Sequence, residues 1–317
     1  MLTRRFLRLL PVAALFWAMP ALAAPPPDVV VSVKPLHALV AGVMEGVGNP
    51  YLLVRGAASP HDFTLRPSDA KALNGAELVV WVGPALETFL EKPLAALGGG
   101  AVKLSLASAD GVRVLPSRAG GVWEAHDHSH AHDDHHDHDH DHGASGTDGH
   151  IWLDPRNAIA ITQAVADNLA KLDPERATTY RANAQKQVAA IEALDRELAA
   201  QLAPVKDRPF IVFHDAYHYL EDRYALAAAG AITVTPDQRP GAARLSQLRH
   251  AIADAKAVCV FAEPQFEPAL VKVLVEGSAV RTGTLDPEGA NIPEGAGLYP
   301  TLMRFNAKAL VDCLSGG

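Results

Sequence analysis

Leu78-Val79-Val80-Trp81-Val82-Gly83-Pro84 returns 180 residues later as Val258-Cys259-Val260-Phe261-Ala262-Glu263-Pro264. A short apolar run closed by turn residues reads as a strand buried on both faces. Its return at such a distance means that the chain uses one design twice. Working outward, apolar runs at 29–33, 51–54 and 78–82 alternate with helix-periodic stretches at 36–44, 67–73 and 84–97. The pattern resumes after residue 208, with strands at 210–213, 231–235 and 258–262 and helices at 217–224 and 245–255. Strands alternating with helices make βαβ units and a parallel sheet. The expected fold class is α/β, with two similar lobes, each a mostly parallel sheet flanked by helices.

Between the halves, residues 174–203 contain no glycine and no internal proline and are rich in Ala, Gln, Glu, Leu and Lys. Pro174 suits a first helical turn, Asp173 is the expected N-cap, and Pro204 ends the run. Thirty helical residues span about 45 Å, enough for one rigid helix to run along both lobes. A coiled-coil oligomerisation arm is the alternative, but the segment lacks a sustained heptad seam. The expected organisation is a leader at 1–23, an N lobe at 24–172, a linking helix at 173–204 and a C lobe at 205–317.

The leader runs from Arg4, Arg5 and Arg8 through an apolar stretch at 9–19 to Ala21-Leu22-Ala23, the small-x-small pattern of a cleaved export signal. The apolar stretch is short for a membrane span, and Pro25 to Pro27 follow at once. The mature chain is therefore expected to be soluble outside the cytoplasm. Its only cysteines, Cys259 and Cys313, most simply pair in such a compartment, two separate buried thiols being the alternative.

The 317 residues are 49% hydrophobic and 20% charged, which excludes a disordered scaffold. The net charge of −8 is concentrated in one place. Residues 126–142 hold six aspartates, nine of the fifteen histidines and no Lys or Arg, and without those aspartates the balance is 28 cations against 30 acids. Bulk charge thus gives no nucleic-acid footprint. The tract cannot pack a core and is expected to lie in a disordered loop at 124–148, either as a solvated spacer or as a collector that binds several ions weakly.

Outside the tract lie His37, His61, His150, His214, His218 and His250. His61 follows the 51–54 strand, His150 opens Gly149-His150-Ile151-Trp152-Leu153-Asp154-Pro155, and His214 ends the 210–213 strand. Ligands of open α/β sheets bind beyond the carboxyl ends of the strands. Three imidazoles from separate segments are thus placed to converge between the lobes.

These segments carry a resemblance. Ser59-Pro60-His61-Asp62-Phe63-Thr64-Leu65-Arg66-Pro67-Ser68-Asp69, the His150 segment, Phe213-His214-Asp215-Ala216-Tyr217 and Glu263-Pro264-Gln265-Phe266 resemble, in order, those of the ZnuA-type zinc-uptake solute-binding proteins of ABC importers. The resemblance covers essentially the whole mature chain. It implies a two-lobed periplasmic receptor, not an enzyme, that binds one Zn²⁺ through His61, His150 and His214 and docks on an inner-membrane zinc ABC permease, as a monomer. It also implies a C-lobe disulfide between Cys259 and Cys313. Some zinc members carry a carboxylate just before the first histidine, where this chain has Pro60. The fourth donor is then water, a histidine of the tract, or Asp286 in Gly283-Thr284-Leu285-Asp286-Pro287, whose alternative role is an Asx-type turn. Three imidazoles with at most one carboxylate favour Zn²⁺ over Mn²⁺, though Cu²⁺ and Ni²⁺ share the taste for imidazole.

Three rival functions remain at this level. His214-Asp215-Ala216-Tyr217-His218 differs from the H-E-x-x-H zinc-hydrolase helix by Asp for Glu, but it follows a strand, which puts His214 at a helix start and His218 toward the lobe surface. A zinc-buffering metallochaperone for another exported protein is the second, and adhesins on the same fold are a third possibility.

Overall fold

In the computed structural model, the described residues are 24–97, 100–118, 123, 146–233, 241–266 and 269–316. The expected leader at 1–23 and the tract at 126–142 lie outside them. The N lobe is a four-stranded parallel sheet in the order β2-β1-β3-β4, made by β1 (Val29–Val31), β2 (Tyr51–Leu52), β3 (Leu78–Trp81) and β4 (Val102–Ser105). The C lobe repeats the plan as β6-β5-β7-β8, with β5 (Phe210–His214), β6 (Ala228–Thr233), β7 (Cys259–Ala262) and β8 (Arg281–Thr284). The inner strands β1, β3 and β5 are buried along their length, which is why they read as unbroken apolar runs.

The edge strands β4 and β8 were not expected. Val102-Lys103-Leu104-Ser105 and Arg281-Thr282-Gly283-Thr284 alternate between half-buried and exposed positions, so neither forms an apolar run. An edge strand needs only one neighbour, and polar residues suit its free side. Boundaries also differ. The helix expected at 84–97 begins only at α3 (Thr88–Ala96), because residues 84–86 form a turn and Glu87 precedes the helix.

The linking helix α5 (Ala177–Leu202) is preceded by a 3-10 turn at Pro174–Arg176. Asp173 does not cap it; its carboxylate accepts from Arg176 at 2.7 Å and from the Tyr180 hydroxyl at 2.8 Å. The 26 residues of α5 span about 39 Å. The helix packs on α1 (Lys34–Val43) and α4 (Pro155–Leu172) of the N lobe and on α9 (Leu298–Leu314) of the C lobe. Its buried face, Tyr180, Ala184, Ile191, Leu194, Leu198 and Leu202, belongs to one apolar core shared with both lobes. A splint of that kind limits how the lobes can move.

Cys259 of β7 and Cys313 of α9 form a disulfide, with Cα atoms 6.2 Å apart. It ties the last helix to a central strand of the C lobe and contributes about 2–4 kcal/mol, mainly by restricting the unfolded chain. No helix among the described residues is long and apolar enough to cross a membrane.

Candidate metal centre

The site lies where the carboxyl ends of both sheets face each other. Ser59 opens a 3-10 turn at Pro60–Asp62 and accepts the His61 N–H through its hydroxyl at 3.2 Å. This fixes His61 as the second residue of a tight turn. His150 precedes the 3-10 turn Ile151–Leu153, whose three apolar residues are fully buried. Gly149 makes that approach possible, because a Cβ there would stand 2.7 Å from the Leu86 Cβ. His214 is the last residue of β5.

The tract's C-terminal flank is part of this framework. Thr147 bridges Pro116, Ser117 N–H donates to the Gly146 carbonyl, and Asp148 N–H donates to the Leu115 carbonyl. The loop expected to run to residue 148 therefore has an ordered end from 146.

The three imidazoles converge through one kind of atom. His150 Nε2 lies 3.4 Å from His61 Nε2 and 3.3 Å from His214 Nε2. Their ligand atoms form a cluster within 4.8 Å. Two carboxylates set the tautomers: Asp148 Oδ1 is 2.8 Å from His150 Nδ1, and Glu263 Oε2 is 2.7 Å from His214 Nδ1. A carboxylate accepts, so each Nδ1 carries the ring's single proton and each Nε2 presents a bare lone pair. Two lone pairs facing each other at 3.3 Å repel, and a cation between them removes the conflict. Tetrahedral Zn²⁺ with Zn–N bonds of about 2.0–2.1 Å holds its nitrogens about 3.3–3.4 Å apart, which is the spacing observed. The cavity at this point has a volume of about 10 Å³, about the space of a single water molecule or ion. A larger groove of about 600 Å³, lined by Arg208, Arg249, Lys256 and Arg281, lies elsewhere on the C lobe and contains no histidine.

Electrostatics separate the histidines. Burial pushes the His61 pKa well below its ordinary value, and the neighbouring His150 and His214 push it further. For His214 burial also opposes protonation, but Glu263, with Asp215 and Asp148, outweighs it and the net shift is upward.

Asp286 is buried beside the site but is not in the cluster. Its Oδ1 accepts from Gln265 Nε2 at 2.9 Å and from the Glu288 and Gly289 N–H groups at 3.0 and 2.8 Å, and its Oδ2 accepts from Ala290 N–H at 2.7 Å. Those bonds build the turn that carries Glu288, which lines the cavity. His37 bonds the Pro50 carbonyl at 3.0 Å, away from the centre. The hydrolase pattern does not form, because His214 ends a strand and His218 begins α6 (His218–Tyr224). Nor does His218 face the surface: it is half-buried, with Nδ1 3.9 Å from Asp148 Oδ2. Asp215 is paired with Arg118 of the N lobe.

Sequence reasoning missed Asp148 and Glu263 as orienting groups. The first was legible as a D-x-H spacing. The second needed the pairing of β5 with β7, in which Phe210 lies opposite Cys259.

Comparison with known proteins gives the same direction. Residues 29–313 match the family described as ZnuA, zinc-uptake complex component A, periplasmic. The high-affinity zinc uptake system protein ZnuA of Brucella suis is 50% identical over 305 residues, covering 90% of this chain and 91% of that one. The protein of the same name from Paracoccus denitrificans is 41% identical over 314 residues, with 94% of each covered. Among solved structures, a zinc-bound deletion mutant of ZnuA superposes with a TM-score of 0.74 at 25% identity, covering 92% of this chain and 99% of that one.

Proposed function

The chain belongs to the ZnuA family of periplasmic zinc-uptake components, and from that premise we propose that it is a high-affinity zinc receptor that holds one Zn²⁺ through His61, His150 and His214 and delivers it to an inner-membrane ABC permease. The observation that carries this reading is the meeting of three Nε2 atoms at 3.3–3.4 Å with two of the rings locked by carboxylates so that lone pairs face inward. Such a set demands a cation and matches the tetrahedral radius of zinc. Imidazole donors favour Zn²⁺ over Mn²⁺, which prefers oxygen.

Two ligands come from the N lobe and one from the C lobe, so the ion is a bridge between them. Its release is then coupled to the lobe contact, which suits a carrier that must give up its cargo to a membrane partner. In this reading the receptor acts as a monomer and as a carrier, not an enzyme. The tract at 126–142 collects zinc at low affinity, and the leader at 1–23 exports the chain to the periplasm.

A chelator-competition titration tests the reading. The mature protein should bind one zinc tightly, a variant lacking 126–142 should keep that site while losing weaker equivalents, and His61→Ala should lose tight binding by about three orders of magnitude. Unchanged tight binding in His61→Ala would remove the assignment, and loss of it on deleting 126–142 would move the ligands into the tract.

A further inference from the structure

A zinc ion held by three neutral imidazoles keeps its full double charge in a buried cavity, which is costly unless a carboxylate joins it. The carboxylates around the cavity differ in what they are free to do. Asp148 Oδ1 is engaged by the His150 backbone and ring, and its Oδ2, which also has no hydrogen-bond partner, lies 3.9 Å from His218 Nδ1 and outside the cavity lining. Glu263 holds His214 through Nδ1. Asp286 accepts four hydrogen bonds, three from backbone N–H groups of its own turn and one from Gln265. Glu288 is different: it is 4% exposed, lines the cavity with the three histidines, and its Oε1 is buried without a hydrogen-bond partner.

We propose that Glu288, not Asp286, is the fourth donor that closes the zinc coordination sphere and halves the buried charge. The inference rests on the three-histidine reading of the site. In this structure the three nitrogens cluster by themselves, so the Glu288 carboxylate reaches the ion by rotation about its own side-chain bonds. Its backbone is held in place for this. Asp286 fixes the turn from within, and Lys34 of the N lobe donates to the carbonyls of Gly289, Ala290 and Ile292 just beyond it. The loop is thus pinned on both sides, and among the described residues that line the cavity Glu288 is the only carboxylate with an oxygen left without a partner; the other orphan there, Gln265 Oε1, is a neutral amide that cannot offset the ion's charge. A bare buried acceptor costs about 1–3 kcal/mol, and ligation would satisfy it.

Zinc-induced infrared difference spectra of the mature protein lacking 126–142, with and without E288Q, test this alongside affinity. The expected result is a zinc-dependent carboxylate band in the parent that is absent from E288Q, with zinc affinity weaker by at least about tenfold. Apo E288Q should melt no lower than the parent, since the substitution keeps the side chain's size and breaks no hydrogen bond of Oε1, which separates a ligand role from a structural one. A carboxylate band that persists in E288Q with unchanged affinity would overturn the proposal, as would the absence of any such band in the parent. His61→Ala run in parallel separates the two readings: if it loses tight zinc while E288Q is silent, only the Glu288 assignment fails, and if it keeps tight zinc, the three-histidine site fails with it.

Discussion

The two lobes share one topology and divide the chemistry unequally. Val30 lies opposite Val79 in the N lobe, and Phe210 lies opposite Cys259 in the C lobe. Both pairs are related by the same offset of 180 residues. Extended four residues along the first strand of each pair, that relation sets His214 against Lys34, and along the second it sets Glu263 against Gly83. In the C lobe the two positions hold each other and aim an imidazole at His150. In the N lobe Gly83 adopts a φ of +144°, a conformation that disfavours any side chain, and Glu87 supplies the carboxylate that accepts from the Val82 and Gly83 N–H groups. Lys34 turns away to clamp the opposite lobe. The N-lobe histidines instead come from loops that follow other elements. One framework has been used twice, once to present an imidazole at the candidate centre and once to hold the neighbouring lobe in register.

The largest test of this contrast gives the C lobe its counterpart from the N lobe. His214→Lys places a cation where a lone pair stood, and zinc affinity should fall by about three orders of magnitude; a competition titration reads it, and binding within tenfold of the parent would show that strand-end placement is not what makes the ligand. A smaller effect is expected from Glu263→Gln, which leaves His214 in place but removes the acceptor that fixes its tautomer. Loss of such an orienting partner costs about 10–100-fold in metal affinity. Isothermal titration of the variant should show that loss with stoichiometry unchanged, and an unaltered affinity would mean that packing alone orients the ring.

The smallest effect is graded with pH. The upward shift of His214 means that, as pH falls, a proton takes its Nε2 at higher pH than for an ordinary imidazole. His61, shifted well down, stays neutral over the same range. Zinc therefore competes first with a single proton, and affinity should drop about tenfold per pH unit below that point. Glu263→Gln should move the onset to lower pH, because it removes the carboxylate that raises His214. A flat zinc affinity from pH 7.5 to 5.5 would contradict a histidine site.

Much of this was legible before any coordinates. Buried inner strands announce themselves because both faces are apolar, and His61, His150 and His214 could be singled out by their positions after strands or at the opening of a turn. The edge strands β4 and β8 were silent because their exposed sides tolerate polar residues. Asp286 illustrates a deeper limit. A carboxylate near a site is a ligand or a turn-former according to which donors surround it, and here its own backbone supplies three of them. Glu263 shows the opposite case. Its role depends on a partner 49 residues away in sequence, reached only through strand pairing. Local periodicity reveals elements, whereas hydrogen bonds between distant residues emerge only once the register is known.

The central claim is that one zinc ion sits among three Nε2 atoms drawn from both lobes. A crystal structure of the zinc-loaded protein, with anomalous difference maps on either side of the zinc absorption edge, tests it most directly. The account predicts a single strong peak about 2.0–2.1 Å from the Nε2 atoms of His61, His150 and His214. A principal peak that lacks any one of those three nitrogens as a ligand would contradict it.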